Sequence, residues 1–447
     1  MGAFKSYDIR GVWNKDFNAE TVYKVGFFLP ELLKADKVLV GRDVRTSSPE
    51  IFEALCKGIT DAGVDVYDIG LSTTPLIYWA TAKFEFNASV MITASHNPKE
   101  YNGLKVSGAL AAPIGYDSGL RIIEQWILDG KAITPKAEKG KIIDYNVYDA
   151  YINFQKQWIS DFSNLKIAMD CSNGMSSLFV KKLYRTNISY IFDEMDGTFP
   201  NHEPNPLEPE NIIQIQEKVK ETKADIGVIF DGDADRVMFV DENSKFISPD
   251  LLIGILGNYF MRNHENAKAL IDIRSSKAIP EYLYPMSVEV DMWKVGRANA
   301  AVKLREMDGL WGGELAGHYY FKDFYYSDSA LMACSLLLNI FADMKKHGIS
   351  VSQAISKLAT YANSGEINFK IEKKQEAMDA VRDYFMKAEK CIQYFDFDGY
   401  RLEFENWWLN IRPSNTEPYL RFLAEAKSDE KLKEVVAKSR EIITALA

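Results

Sequence analysis

Cysteine is scarce in this 447-residue chain: Cys56, Cys171, Cys334 and Cys391 are all there are, and no two form a CxxC pair. That spacing suggests neither a disulfide framework nor a zinc knuckle, and a reducing compartment is the simplest setting. Long apolar runs are missing as well. None approaches the roughly 18 residues of a membrane span, and the opening MGAFKSYDIRGVW lacks the basic-then-apolar layout of a secretion signal. Met1, Gly2 and Ser6 nominally fit an N-myristoylation pattern, but the residues that follow read as part of the fold. An excess of basic charge is absent too: the formal net charge is -10, which argues against a general nucleic-acid or anionic-membrane surface. An anionic ligand must then be met by a local basic cleft. The expectation is a cytoplasmic protein with no nucleic acid, no membrane and no obligatory protein partner. No low-complexity segment or short-period repeat occurs.

With 47% hydrophobic and 26% charged residues, the chain is globular by composition, with length for about three domains of about 150 residues. Short apolar runs ending in polar loops recur: KVLVGRD (37–43), SVMITASHN (89–97), LKIAMDCSNG (165–174), DIGVIFDGDADR (225–236) and KALIDIRSS (268–276). Helical patterns lie between them. In SPEIFEALCKGITDAG, Ser48 is placed to cap, Pro49 suits the first turn and Gly63 the stop. Strands alternating with helices imply parallel βαβ units, whose ligands gather at the carboxyl ends of the strands. The runs VLVGRD, IAMDCSNG and LIDIRSS each begin a segment, so one unit is repeated three times. A helix is expected from Ser248 with Pro249 in its first turn, opening the third unit, and another over SDSALMACSLLLNIFADMKKHG. From about residue 366 the alternation changes to that of antiparallel strands, with helices at 374–391 and 429–447. The expected domains are 1–147, 148–248, 249–364 and 365–447.

The chemistry sits in the loops. In SVMITASHNPKEYNGLKVSG, a buried strand breaks into a loop at Asn97-Pro98 and presents Ser95 and His96 at its end; Lys105 follows ten residues after Ser95. DGDADR places Asp231, Asp233 and Asp235 at alternating positions after an apolar run. Three carboxylates so close repel one another, and a hard divalent cation such as Mg²⁺ relieves that. A calcium EF-hand is the competing reading, since Glu242 also falls in place, but Arg236 stands where the required glycine belongs and the flanks read as strands. IRPSNTEPYLRF gathers Arg412, Ser414, Asn415, Thr416 and Arg421, a set of forks and donors suited to phosphate. GGELAGHYYF offers Glu314 and His318 to sugar hydroxyls, and SYDIRG adds Arg10. A hydroxyl, a metal site, a phosphate clamp and a sugar-like loop together make the kit of phosphoryl transfer. Proton transfer at the sugar oxygen needs a base, and Lys105 or His318 can serve.

In this order and spacing, TASHNPKEYNGLK, DGDADR, GELAGH and RPSNTEP resemble the motifs of the α-D-phosphohexomutases, particularly the phosphomannomutase/phosphoglucomutase group. The resemblance spans the whole chain. It implies an α/β fold of three related domains with mixed rather than purely parallel sheets, and a C-terminal α+β domain closing a central cleft. It implies that Ser95 is phosphorylated in the active enzyme and shares Mg²⁺ with Asp231, Asp233 and Asp235. Arg10, His96, Lys105 and Arg236 would surround the transferring group, with Lys105 as acid/base. Glu314 would hold the sugar's 3- and 4-hydroxyls with His318 and Arg297 beside it, while Arg412, Ser414, Asn415, Thr416 and Arg421 grip the second phosphate. Phosphoserine would then give its phosphoryl group to a hexose 1-phosphate, and the bound 1,6-bisphosphate would turn over and return the other phosphate to Ser95. Glucose 1,6-bisphosphate or mannose 1,6-bisphosphate would be the activator.

The chain departs from the group's pattern at Ala316, where a serine is usual, at Arg297, where a histidine is common, and at Arg274, where a lysine is frequent. Leu315 is not the glutamine of the phosphoglucosamine mutase branch. These departures keep or add positive charge and leave the choice between mannose and glucose open. They also motivate an alternative, a phosphosugar-binding protein of the same fold without turnover.

Overall fold

The computed structural model describes residues 2–414 and 419–446, and among these the strands form four sheets. In the first, Lys37–Arg42 lies parallel to both Asp65–Leu71 and Ala88–Ile92, and Ile142–Asp144 extends the parallel edge. Tyr101–Gly108 then runs antiparallel to Ala88–Ile92, and Ile9–Val12 antiparallel to Tyr101–Gly108. The second sheet repeats the plan: Ile167–Asp170, Ile188–Ile191 and Ile226–Phe230 are parallel, and Val237–Asp241 returns antiparallel. So does the third, with Lys268–Asp272, Glu289–Trp293 and Trp311–Gly313 parallel and Tyr319–Phe321 antiparallel. The sheets are mixed because the last central parallel strand of each unit returns through a hairpin instead of a further crossover.

This repetition positions the site. In each unit the loop joining the last parallel strand to its antiparallel neighbour carries one of the polar motifs: residues 93–100, 231–236 and 314–318. A second repeated device lies at the end of each first central strand. Asp43, Asp170 and Asp272 are buried, and each accepts the backbone N–H two residues on, from Arg45 (3.0 Å), Ser172 (2.7 Å) and Arg274 (2.6 Å). A buried carboxylate needs a partner, and the three meet Arg45, His202 and Arg274 respectively. The partner differs only in the second unit, and the turn is the same in all three.

Two helix starts differ from expectation. Ser47 occupies the N-cap position of the helix Ser48–Asp61, and Ser48 lies inside it because its hydroxyl donates to Asp43 (2.6 Å). The helix expected from Ser248 begins at Leu251, since the Ser248 hydroxyl is drawn back onto Asp250. Ser329 caps Ala330–Lys346 as the pattern requires, its hydroxyl accepting the N–H of Met332 (3.2 Å).

One apolar core runs from Leu76 and Trp79 through the second and third sheets to Leu358. The fourth sheet is antiparallel throughout and has its own core, which Lys374–Ala388 and Asp429–Thr444 cover. Its edge includes Ala362–Asn363, a few residues ahead of the expected 365. The seam between the third and fourth sheets is largely polar. Arg401 donates to the carbonyls of Ile273 (2.8 Å) and Ser275 (2.6 Å), and Ser276 donates to Glu425 (2.6 Å). A polar seam between separate cores is where domain rotation is least costly.

Candidate active site

Ala88–Ile92 is wholly buried and delivers the chain into a left-handed turn at Ser95, whose φ is +53°. The residue that holds this loop is one the motif does not contain. Arg45, fully buried beside Asp43, donates to the carbonyls of Ser95 (2.9 Å), Asn97 (2.6 Å), Pro98 (2.7 Å) and Tyr101 (3.1 Å). Four loop carbonyls on one guanidinium fix the turn more firmly than Pro98 alone. The Ser95 hydroxyl then donates to Asp231 of the second unit (3.0 Å) and lies 3.2 Å from Nδ1 of His96. Gly232 permits that approach, because a Cβ there would stand 2.5 Å from the Ser95 carbonyl.

Asp231, Asp233 and Asp235 are all buried, with a carboxylate oxygen from each within 4.8 Å of the others. Their loop joins two antiparallel strands, and Glu242 bonds to Ser352, which rules out an EF-hand. Burial, then the charges of Asp235 and Asp233, push the Asp231 carboxyl well above its usual range. Lys105 lies between Asp233 (2.7 Å) and Asp235 (2.6 Å), and Thr74 also donates to Asp233 (2.5 Å). Burial opposes the lysine's charge, but these two aspartates outweigh it and raise the ammonium above its ordinary value. Oδ1 of Asp233 and Oδ1 of Asp235 remain buried without a hydrogen-bond partner. A raised carboxyl beside two orphaned oxygens fits a divalent cation, and the triad can hold one.

Cations ring the serine. Arg10 donates to Asn97 (2.9 Å) and pairs with Asp8. Burial, and then Arg236, Arg10 and Lys105, hold the His96 imidazole well below its ordinary pKa, so it is neutral. Arg10, Lys105 and Arg236 thus converge near the serine, balanced by Asp8 and the acidic triad.

The second and third loops touch through Arg236 and His318. Arg236 can only donate, so its Nε bond to His318 (3.0 Å) makes that Nε2 an acceptor, and Nδ1 carries the ring proton to Asp328 (2.7 Å). Asp328 also accepts from Arg297 (3.2 Å), which donates to the Ala111 carbonyl (3.0 Å) and lies over the Tyr78 ring at 3.5 Å. Arg297 therefore bridges the third unit to the first as well as facing the cleft. Glu314 is buried, accepting from the Tyr320 hydroxyl (2.5 Å) and the Gly296 N–H (3.2 Å), with Arg274 at 3.7 Å.

Across the opening, Arg412 and Arg421 are direct partners on adjacent antiparallel strands. Arg412 pairs with Asp398 (3.0 Å) and Arg421 with Glu366 (2.7 Å). Ser414 lines the same cleft, and Asn415 and Thr416 lie outside the described residues. The cleft measures roughly 2010 Å³ and is bordered by all four sheets, with Ser95, Lys105, Arg236, Glu314, His318 and Arg412 on its walls. Five further residues bear on these groups without standing in any motif: Arg45, Thr74, Tyr78, Asp328 and Asp398; Tyr320 lies within the GGELAGHYYF stretch, but only the fold shows its bond to Glu314. Of these only Arg45 left a trace in sequence, two positions after the aspartate that ends an apolar strand.

Four successive segments match family descriptions. Residues 1–131, 149–245 and 248–361 match phosphoglucomutase/phosphomannomutase alpha/beta/alpha domains I, II and III, and residues 366–442 match the C-terminal domain. A phosphomannomutase of Vibrio cholerae is 35% identical over 96% of this chain and 95% of its own. A protein of Xanthomonas campestris described as phosphohexose mutases is 33% identical over 97% of each chain. The crystal structure of a phosphoglucomutase/phosphomannomutase family protein from Burkholderia thailandensis superposes with a TM-score of 0.88 at 29% identity, covering 100% of this chain and 97% of that one. No helix among the described residues is long and apolar enough to cross a membrane. With a loop serine, an acidic triad and an arginine pair sharing one cleft, and four matching domains in order, the chain belongs to the phosphoglucomutase/phosphomannomutase family and is a phosphohexomutase, an intramolecular phosphotransferase.

Proposed function

We propose that the protein interconverts the 1-phosphates and 6-phosphates of mannose and glucose through a phosphorylated Ser95 and a bound hexose 1,6-bisphosphate. The observation that carries this reading is the contact of the Ser95 hydroxyl with Asp231 (3.0 Å), inside the cation ring and on the same cleft as Glu314 and Arg412. A protein that only bound phosphosugars would need neither a serine on the acidic triad nor a lysine between two of its carboxylates.

In the first half-reaction the bond between phosphorus and Ser95 Oγ breaks, and one forms to the free hydroxyl of a hexose 1-phosphate. In the second, the 1-phosphoryl group of the bisphosphate returns to Ser95 and hexose 6-phosphate leaves. Arg10, His96 and Arg236 face the phosphoryl oxygens. Lys105 serves the proton transfers: held charged by Asp233 and Asp235, it is ready to protonate the departing Ser95 oxygen. Its turn as base requires those two carboxylates to loosen their hold. Asp231, Asp233 and Asp235, with an oxygen of the Ser95 phosphate, would hold Mg²⁺. The ion would supply charge neutralisation for the transferring group.

Glu314 accepts hydrogen bonds from the 3- and 4-hydroxyls, with His318 and Arg297 adjoining it. These hydroxyls are disposed alike in mannose and glucose, which supports use of both sugars, and the relatives called phosphomannomutase support mannose. Arg412, with Ser414, Asn415, Thr416 and Arg421, grips the phosphate that stays. Losing Arg412 should cost about 1.5–3 kcal/mol of substrate binding, the usual worth of a hydrogen bond to a charged group. Conversion of mannose 1-phosphate and, in parallel, glucose 1-phosphate, with Mg²⁺ and a trace of glucose 1,6-bisphosphate, tests the reading. Turnover of both is expected; turnover of neither refutes the assignment of sugars.

A further inference from the structure

The phosphate clamp and the sugar loop lie on different domains, yet one short loop of the third unit touches both. Oδ1 of Asp398 accepts from Nε (3.2 Å) and Nη2 (3.0 Å) of Arg412, and its Oδ2 accepts the backbone N–H of Val295 (2.9 Å). The next N–H along, that of Gly296, goes to Oε2 of Glu314 (3.2 Å). Two consecutive peptide N–H groups thus serve the carboxylate behind the clamp and the carboxylate of the sugar loop.

Both ends of this connection are cramped. Gly296 has φ +104°, and a Cβ there would stand 2.7 Å from the Tyr7 ring, whose hydroxyl donates to the Val295 carbonyl (3.0 Å). Gly399 has φ +72°, and a Cβ there would stand 2.4 Å from Cβ of Arg412. The rings of Trp293 and Phe397 stack at 5.4 Å beside the contact. The Arg412 side chain is almost wholly buried, so its guanidinium must be neutralised and aimed by a fixed partner.

We propose that Asp398 is a positioning residue of the phosphate clamp: it aims Arg412 and registers it against the loop that also holds Glu314. Through it, the spacing between the gripped phosphate and the gripped hydroxyls is set by one carboxylate and two consecutive peptide N–H groups. This rests on the assignment of Arg412 to the staying phosphate, made above.

The test is a double-mutant cycle on the full enzyme with glucose 1-phosphate. Asp398→Asn keeps an acceptor for Val295 but removes the charge that holds Arg412. It is expected to raise KM at least tenfold with a smaller change in kcat, and to lower the melting temperature because the buried guanidinium loses its counter-charge. In an Arg412→Ala background the same substitution is expected to change KM less than twofold, since no guanidinium remains to be aimed. An unchanged KM in Asp398→Asn, or an equal loss in both backgrounds, overturns the role of Asp398 while leaving the clamp standing. An unchanged KM in Arg412→Ala alone overturns the clamp, and the proposal with it.

Discussion

Glu425 makes the seam between the third and fourth domains sensitive to pH. Its carboxylate accepts from Ser276 (2.6 Å), Trp408 (2.8 Å) and Asn363 (2.8 Å), but it is buried. Asp250 stands on the other side of the same serine, accepting the Ser276 N–H (2.8 Å). Burial first, and then the charge of Asp250, push the Glu425 carboxyl from 4.5 up to about 7. An acid whose folded pKa lies above its unfolded one holds its proton more tightly when folded. Its contribution to stability is therefore intact below pH 4.5, is lost as pH rises through the window to about 7, and stays lost above it. At 1.36 kcal/mol per pH unit, the loss is about 3 kcal/mol, large beside the total stability of a small domain.

Glu425→Gln keeps the shape and cannot ionise. Unfolding by urea, with hydrogen exchange read over residues 400–426, should show wild type losing about 3 kcal/mol relative to the variant between about pH 4 and about pH 8. The sign matters, because an ordinary ion-paired glutamate would gain stability over that range. A difference between the two proteins that does not vary with pH would refute the reasoning.

Substitutions at three further residues probe the site. Arg45→Ala strands Asp43 in the interior and should cost about 3–5 kcal/mol of stability; Arg45→Lys keeps the charge but cannot fork to four carbonyls, so kcat should fall more than the melting temperature. Tyr320→Phe removes one donor to Glu314, a bond to a charged acceptor worth about 1.5–3 kcal/mol, so kcat/KM should drop at least tenfold, with little change on a 4-deoxy hexose 1-phosphate. Gly232→Ala places a methyl 2.5 Å from the Ser95 carbonyl, and steady-state kinetics should show kcat falling with KM nearly unchanged.

What the sequence reveals about this site and what it hides differ in contact range. Ser95, the three aspartates and Arg412 are readable because each sits at a local break, where an apolar strand gives way to a polar loop whose composition names its chemistry. Lys105 gained meaning only from its company, since Asp233 stands 128 positions away. Arg45 and Asp398 act through partners brought near by the fold: Arg45 reaches the Ser95 carbonyl across 50 positions, and Asp398 meets Val295 across 103. No periodicity marks such pairs. The three-fold repeat is visible in its strands, but the shared turn of Asp43, Asp170 and Asp272 is not, because Arg45 and Arg274 stand two residues after their aspartates whereas Asp170 meets His202 from 32 positions away. The helix starts at Ser48 and Ser248 misread for one reason: a nearby aspartate captures the hydroxyl that would otherwise cap.

The claim on which the account stands is that Ser95 carries the phosphoryl group that moves. Enzyme phosphorylated with labelled phosphate at Ser95 can be mixed with excess mannose 1-phosphate or glucose 1-phosphate, quenched within one turnover, and its peptides and sugar phosphates separated. If Ser95 is the carrier, label leaves the peptide containing Ser95 and appears in hexose 1,6-bisphosphate no more slowly than kcat, and Ser95→Ala binds substrate without turnover. Label that stays on Ser95 while hexose 6-phosphate accumulates would contradict it.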